Sequence, residues 1–175
     1  MKQNFTMPFT ESGITLKFAD ENFFCFENCE GYTQFSGNHF KEMDAGWFDV
    51  ANKILYLVEL KDFTQADITS TNGNAQSRVW DMVKKSIDSC LMLHSILIGA
   101  KPSAGIQNCL PQPFSLDFKI TLFHIINSSD TQKADIQFLN DSFKAKFRAY
   151  KELFGILNSN VIRYDQAKRF LDWVE

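Results

Sequence analysis

Residues 43–62 read MDAGWFDVANKILYLVELKD, an apolar run that closes on Glu59-Leu60-Lys61 with acids upstream at Asp44 and Asp49. The stretch Ile54-Leu55-Tyr56-Leu57-Val58 is continuous, β-branched and aromatic, and its length suits a buried central strand better than a helix. Glu59 and Lys61 continue it. Side chains two apart on a strand share a face, so this carboxylate and ammonium stand side by side while Leu60 points into the opposite layer.

The segment Asp44 to Val50 is strand-like as well, and Ala51-Asn52 can close a two-residue hairpin between the two. In that register Asp44 faces Glu59, Trp47 faces Tyr56 and Phe48 faces Leu55, with opposed side chains roughly 5 Å apart on one face. Asp49 would lie opposite Ile54 on the other face. A turn one residue longer changes this assignment, which keeps Asp49 as the alternative to Asp44.

Two carboxylates converging at the end of a sheet suit a hard cation such as Mg²⁺, which takes oxygen ligands and retains several waters. A lysine beside such an ion can orient an attacking water and favour its hydroxide form, while the cation neutralises charge that builds on a phosphate. At these residues the chain resembles the PD-(D/E)XK, or restriction-endonuclease-like, nuclease superfamily, whose hallmark is an Asp on one strand and Glu/Asp-x-Lys on the next. The resemblance rests on Asp44 and Glu59-Leu60-Lys61 and covers roughly residues 40–127. It implies that Asp44 and Glu59 bind Mg²⁺, with Mn²⁺ as a substitute, and that Lys61 assists the water. A RecB-type variant of the pattern can also be laid on Gly46-Trp47-Phe48-Asp49, Glu59-Leu60-Lys61 and Gln76 to Trp80, with Trp80 where the family has Tyr. The bland alternative for Glu59 and Lys61 is a solvated strand end with a weak surface ion pair.

Upstream, Thr15 to Phe18 and Phe23 to Phe26 read as strands, so no opening helix is expected before Asp44; Glu27 and Glu30 are the nearest upstream acids. Downstream, Asp62 to Asn74 is a polar loop centred on Ser70-Thr71-Asn72-Gly73-Asn74. Ala75 to Ile98 reads as a helix with Val79, Val83, Ile87, Leu91 and Ile98 on its apolar stripe and Gly99 as a stop. Gln76, Arg78, Lys84 and Lys85 fall on its polar side or first turn and are candidate substrate contacts, against the default of a solvated face. Lys101 to Pro113, with three prolines and a glycine, is a loop; Phe114 to Asn127 is a strand. Strand, helix and strand joined this way require a mixed or parallel sheet. Ala134 to Leu157 is a second long helix with Leu139, Phe143, Phe147, Tyr150 and Phe154 on one side and a basic strip of Lys144, Arg148 and Lys151 on its flank. Asp165 to Glu175 closes the chain as a short helix bearing Phe170 and Trp173.

With 175 residues, 45% hydrophobic and 22% charged, the chain can bury a substantial core without staples, and no linker, repeat or low-complexity tract divides residues 1–175. Its eighteen phenylalanines recur at strand and helix-face positions and so point to a thick aromatic core. A net charge of −3 supplies no global attraction to phosphate, which leaves nucleic-acid binding to local basic patches. Cys25, Cys29, Cys90 and Cys109 show no zinc-ligand spacing and read as reduced thiols of a cytoplasmic protein. Export and membrane insertion are not expected, since the start carries no basic-then-apolar signal and no apolar run has spanning length. His94 and His124 read as a helix residue and a hydrogen-bonded core residue rather than ligands.

The expectation is an α/β domain, a central mixed sheet flanked by helices, with a restriction-endonuclease-like core and an N-terminal β extension. By the resemblance it is a Mg²⁺-dependent nuclease acting on nucleic acid, DNA favoured, with no membrane partner and a homodimer left open. The alternative is a catalytically inactive nuclease-like fold serving as a protein- or nucleic-acid-binding module.

Overall fold

The computed structural model describes residues 8–18, 22–66, 68, 73–101, 104–111, 115 and 117–175, with backbone alone at 73 and 74. Among them the chain runs β1 (Phe9–Glu11), β2 (Ile14–Leu16), β3 (Phe23–Phe24), α1 (Tyr32–Ser36), β4 (Ala45–Asp49), β5 (Ile54–Asp62), α2 (Gly73–Leu97), α3 (Ala104–Gln107), β6 (Lys119–Asn127), α4 (Lys133–Leu153), β7 (Asn158–Arg163) and α5 (Tyr164–Phe170). The principal sheet has the order β3-β4-β5-β6-β7. Strands β3, β4 and β5 pair antiparallel, and β5, β6 and β7 pair parallel. This is the mixed α/β architecture that the alternation of apolar runs and helix periodicity demands.

Central strand β5 is buried on both faces: Leu55, Leu57, Val58 and Leu60 are all 0% exposed. Leu55 and Leu57 enter one core with Val79, Val83, Leu139, Phe143 and Phe147, the inward faces of α2 and α4. Val58 and Leu60 enter a second core with Ile14, Leu16, Cys25 and Trp173. Parallel pairing of β5 with β6 and of β6 with β7 requires long crossovers, and α2 and α4 supply them on the same side of the sheet. The other side is roofed by the β1–β2 hairpin and the C-terminal tail, where Lys17 N–H donates to Trp173 O (2.7 Å) and Glu175 N–H to Thr15 O (3.0 Å).

The β4–β5 register places Trp47 against Tyr56, Phe48 against Leu55 and Asp49 against Ile54, as expected from the sequence. The connection is wider than a two-residue turn, because pairing ends at Asp49 and Ile54 and Lys53 takes a positive φ of 54°. Helix α2 also differs in its stripe. Residues four apart drift by roughly 40° per step around a helix, so Val79 and Val83 face the core while Leu91 and Ile98 have rotated outward to 40% and 67% exposure. Met82, Cys90, Leu93 and Ile96 complete the buried face.

Strand β7 escaped the sequence reading, since Asn158-Ser159-Asn160 carries the composition of a turn. It pairs with β6 because alternate residues Ser159, Val161 and Arg163 are buried. Helix α5 stops at Phe170, which is 79% exposed; Trp173 lies beyond it in a turn of the tail, packed at tilted and edge-on angles among Phe18, Trp47, Tyr56 and Phe123. A short helix, α1, does precede Asp44, five residues long and thus too brief for periodicity to reveal. Expectations for Phe114, Leu116 and Ser70 to Asn72 fall outside the described residues.

The cysteine expectation is corrected. Cys29 and Cys109 form a disulfide, while Cys25 and Cys90 are free and buried. Eighty residues separate the pair, so spacing alone carried no sign of it. Nearby, Gly31 and Gly105 bring their backbones together: a Cβ on Gly105 would lie 2.6 Å from Gly31 N. The cytoplasmic assignment loses the support that four reduced thiols would have lent it. Among the described residues, no helix is long and apolar enough to cross a membrane.

Gly46 sits on β4 directly under the buried Phe24 ring of β3, and a Cβ there would fall 2.2 Å from Phe24 Cζ. The Gly46→Ala variant is therefore expected to lose on the order of 1–3 kcal/mol of stability. The loss should appear as a lower urea midpoint with an unchanged m-value; an unchanged midpoint would show that Phe24 can move aside.

Candidate active site

Glu59 and Lys61 stand near the carboxyl end of β5, where the parallel strands terminate and where open α/β sheets usually place their ligand crevices. Both project to the α2 side. Asp44 directly precedes β4, in the position opposite Glu59, and there its side chain replaces a ladder bond: Leu60 N–H donates to Asp44 Oδ2 at 2.6 Å. The expected pairing of Asp44 with Glu59 is thus realised at the strand end.

Glu59 is 0% exposed. Its Oε1 lies 2.6 Å from Lys61 Nζ and 2.7 Å from Lys85 Nζ, and the Lys85 ammonium also lies 3.6 Å from Asp44 Oδ1. Oε2 is buried and has no hydrogen-bond partner among the described residues. Burial, reinforced by the Asp44 charge, pushes the Glu59 carboxyl up to about 7 despite the two lysines. Burial opposes the charge on Lys85, but Glu59 and Asp44 outweigh it and raise the ammonium above its ordinary value. A carboxylate this deep is far costlier than a strand-end surface pair, so the solvated reading of Glu59 fails on burial alone.

The hairpin of β1 and β2 turns through Ser12 and Gly13, both at positive φ (54° and 71°), and this tight turn tips the hairpin over the strand end. Ser12 Oγ–H donates to Leu60 O at 3.1 Å. Glu11, next to that turn, has its carboxyl raised by burial and by Asp44, with Lys61 acting the other way. Glu42 is raised chiefly by burial and is partly offset by Lys85. Burial and the acids Glu27, Asp44 and Glu11 hold the Cys25 thiol far above its usual range. The N-terminal β extension thus adds an acidic rim that sequence spacing did not assign.

In register beside Glu59 is His124, fully buried. Ser86 Oγ–H donates to Met82 O (2.9 Å), so His124 Nε2–H donates to Ser86 Oγ (3.0 Å). Burial, then Lys85 and Lys61, push this histidine down to about 3, and it is the neutral, hydrogen-bonded core histidine expected.

The other candidates are not drawn in. Asp49 accepts from Asn52 N–H at 3.0 Å and Asn52 Nδ2–H at 2.7 Å inside the β4–β5 turn, at the opposite end of β5. That removes Asp49 as a ligand candidate together with the Gly46-to-Asp49 variant of the motif. Gln76 is exposed, Trp80 is half-exposed beneath Lys146 (4.5 Å), and Arg78 lies over the Phe63 ring at 4.5 Å. Lys84 pairs with Asp88 at 2.6 Å. Of the four proposed contacts on α2, Lys85 is the one that ion-pairs with Asp44 and Glu59 among the described residues. Its place was signalled by buried Met82 and Ser89, three residues before and four after it on the same helix face. On α4, Arg148 pairs with Glu152 at 3.7 Å on the solvent side.

A separate cleft of about 490 Å³ lies between β7 and the starts of α4 and α5, lined in part by Lys133, Gln137, Arg163 and Gln166. Arg163, buried there, is already paired with Asp130 (2.6 Å) and Asp165 (3.1 Å). Among the described residues no group of three or more His, Cys, Asp and Glu side chains is gathered to hold a metal ion. Asp44 and Glu59 alone still suit Mg²⁺, which binds through one or two carboxylates, keeps waters and shares substrate oxygens. Comparison with protein-family models, curated proteins and solved structures returns no match.

Glu59 holds its proton to about pH 7 when folded, against about 4.5 for an ordinary glutamate. Between these values the folded chain binds the extra proton, so this group's stabilisation is full below about 4.5 and is lost as pH rises to about 7. In chelator-treated protein, Glu59→Gln should remove a slope of up to roughly 1.4 kcal/mol per pH unit across this window. Denaturation of both proteins from pH 4.5 to 8 checks this, and parallel profiles would refute it.

Proposed function

We propose that the protein is a metal-dependent nuclease that hydrolyses phosphodiester bonds, with DNA the favoured substrate. The observation that carries this reading is Glu59: a fully buried carboxylate with an orphan oxygen, facing Asp44 and touching Lys61 at the carboxyl end of β5. Buried acids with strongly shifted titration cluster at sites where a cation or a reacting group uses them. The element order of hairpin, crossover helix and parallel strand around Asp44 and Glu59-Leu60-Lys61 supports the resemblance to PD-(D/E)XK nucleases.

In this reading Asp44 and Glu59 would hold Mg²⁺ or Mn²⁺, and the bound cation would supply charge neutralisation for the phosphate. Lys61 is 38% exposed, so its ammonium reaches both the Glu59 oxygen and solvent, where it can orient a water toward a phosphodiester. Leu60 N–H fixes the Asp44 carboxylate, and the core beneath β5 fixes Glu59, so both acids are oriented before anything binds. With a net charge of −3, substrate attraction rests on local cations, of which Lys61 and Lys85 stand at the site.

One observation favours the second reading, a non-catalytic binding module of the same architecture: both lysines already neutralise Glu59 internally. Cleavage of mixed DNA and RNA with Mn²⁺ separates the two. Lys61→Ala is expected to stay folded and lose at least about a hundredfold in rate, and Glu59→Ala to lose both metal binding and cleavage. A folded wild type that neither binds Mn²⁺ by calorimetry nor cuts either polymer would refute the nuclease reading.

A further inference from the structure

The Lys85 ammonium bridges the two carboxylates of the site, 2.7 Å from Glu59 Oε1 and 3.6 Å from Asp44 Oδ1. Its side chain is only 19% exposed, and its position on mid-α2 is held by flanking Met82 and Ser89, the latter accepting Met43 N–H at 2.9 Å. Lys61 approaches the same Glu59 oxygen from the strand at 2.6 Å. Two cationic groups thus converge on one buried oxygen. A divalent ion between Asp44 and Glu59 would sit within a few ångströms of the Lys85 ammonium, where like charges repel strongly in a poorly solvated site.

We propose that Lys85 is a built-in competitor of the metal: its ammonium occupies the cation position between Asp44 and Glu59, and a divalent ion binds only by displacing it. This rests on the metal-dependent reading above. The displaced ammonium has a third carboxylate within electrostatic reach, since Glu42, half-buried beside Met43, already acts on Lys85. The lysine's long flexible stem allows such a swing without moving α2. The consequence is a site closed by its own side chain at low divalent-ion concentration, in which the protein remains folded because the buried acid is never left unpaired. Sequence position alone would have made Lys85 a phosphate contact; its geometry makes it a surrogate for the ion.

Mn²⁺ calorimetry on wild type, Lys85→Met and Glu59→Ala, with circular dichroism as the folding control, tests the proposal. Lys85→Met should bind Mn²⁺ about tenfold tighter than wild type or better, show a lower melting temperature without metal, and gain a larger upward shift on adding Mn²⁺. Glu59→Ala should not bind. Equal or weaker binding by folded Lys85→Met, with wild type binding, would overturn the competitor role and leave the metal site standing. No binding by either folded protein would overturn the metal reading and the proposal with it. Should Lys85→Met fail to fold, spectra of wild type labelled at lysine Cε decide the matter, with Lys85 assigned through Lys85→Arg. On saturation with Mg²⁺ the Lys85 signal should move to that of a solvated lysine, and a stationary signal with metal bound would refute displacement.

Discussion

The burial of one carboxylate organises this molecule. Glu59 lies at the heart of the sheet's carboxyl end with no solvent contact, and an isolated charge there would cost several kcal/mol. The surroundings answer that cost from three directions: Lys61 from the same strand, Lys85 from the crossover helix, and a proton held until about pH 7. The position of α2 over β5 is therefore an electrostatic matter as well as a hydrophobic one. Val79 and Val83 seat the helix in the core, and Lys85 sets which residues of the strand it must meet.

Around that centre the N-terminal region acts as a cover. The hairpin turn at Ser12 and Gly13 brings its tip onto Leu60 O, and the acids Glu11 and Glu27 join Asp44 in a common field. The disulfide between Cys29 and Cys109 ties the segment that follows to the loop beyond α3. Beside the hairpin, on the same side of the sheet, the tail closes the aromatic cluster through Trp173. Within this field Glu59 Oε2 stays buried without a hydrogen-bond partner among the described residues, while Asp44, Lys61 and Lys85 act on the carboxyl together.

The strand pair β4–β5 was legible because its signal is local: a continuous apolar run, a matching segment and a short connection fix the register that sets Asp44 opposite Glu59. Helices α2 and α4 were legible through their period. Strand β7 was not, since Asn158 to Asn160 looks like a turn and becomes a strand only by adding to β6. Asp49 was ambiguous for a related reason: one residue more or less in the turn exchanges faces, and its pairing with Ile54 decides it.

By itself the sequence determined a mixed α/β core, the central strand, and the three polar groups Asp44, Glu59 and Lys61 clustered on it, because period-two and period-3.6 patterns report which side chains share a face. Tertiary structure alone decided that Glu59 is wholly buried, that Lys85 rather than Arg78 or Gln76 meets it, that Glu11 comes within the field of Asp44 and Lys61, and that Cys29 finds Cys109. These facts depend on contacts between residues 26 to 80 positions apart or on the depth of a residue beneath other elements. Neither quantity is written in local spacing; both follow from how the helices, the hairpin and the sheet pack together.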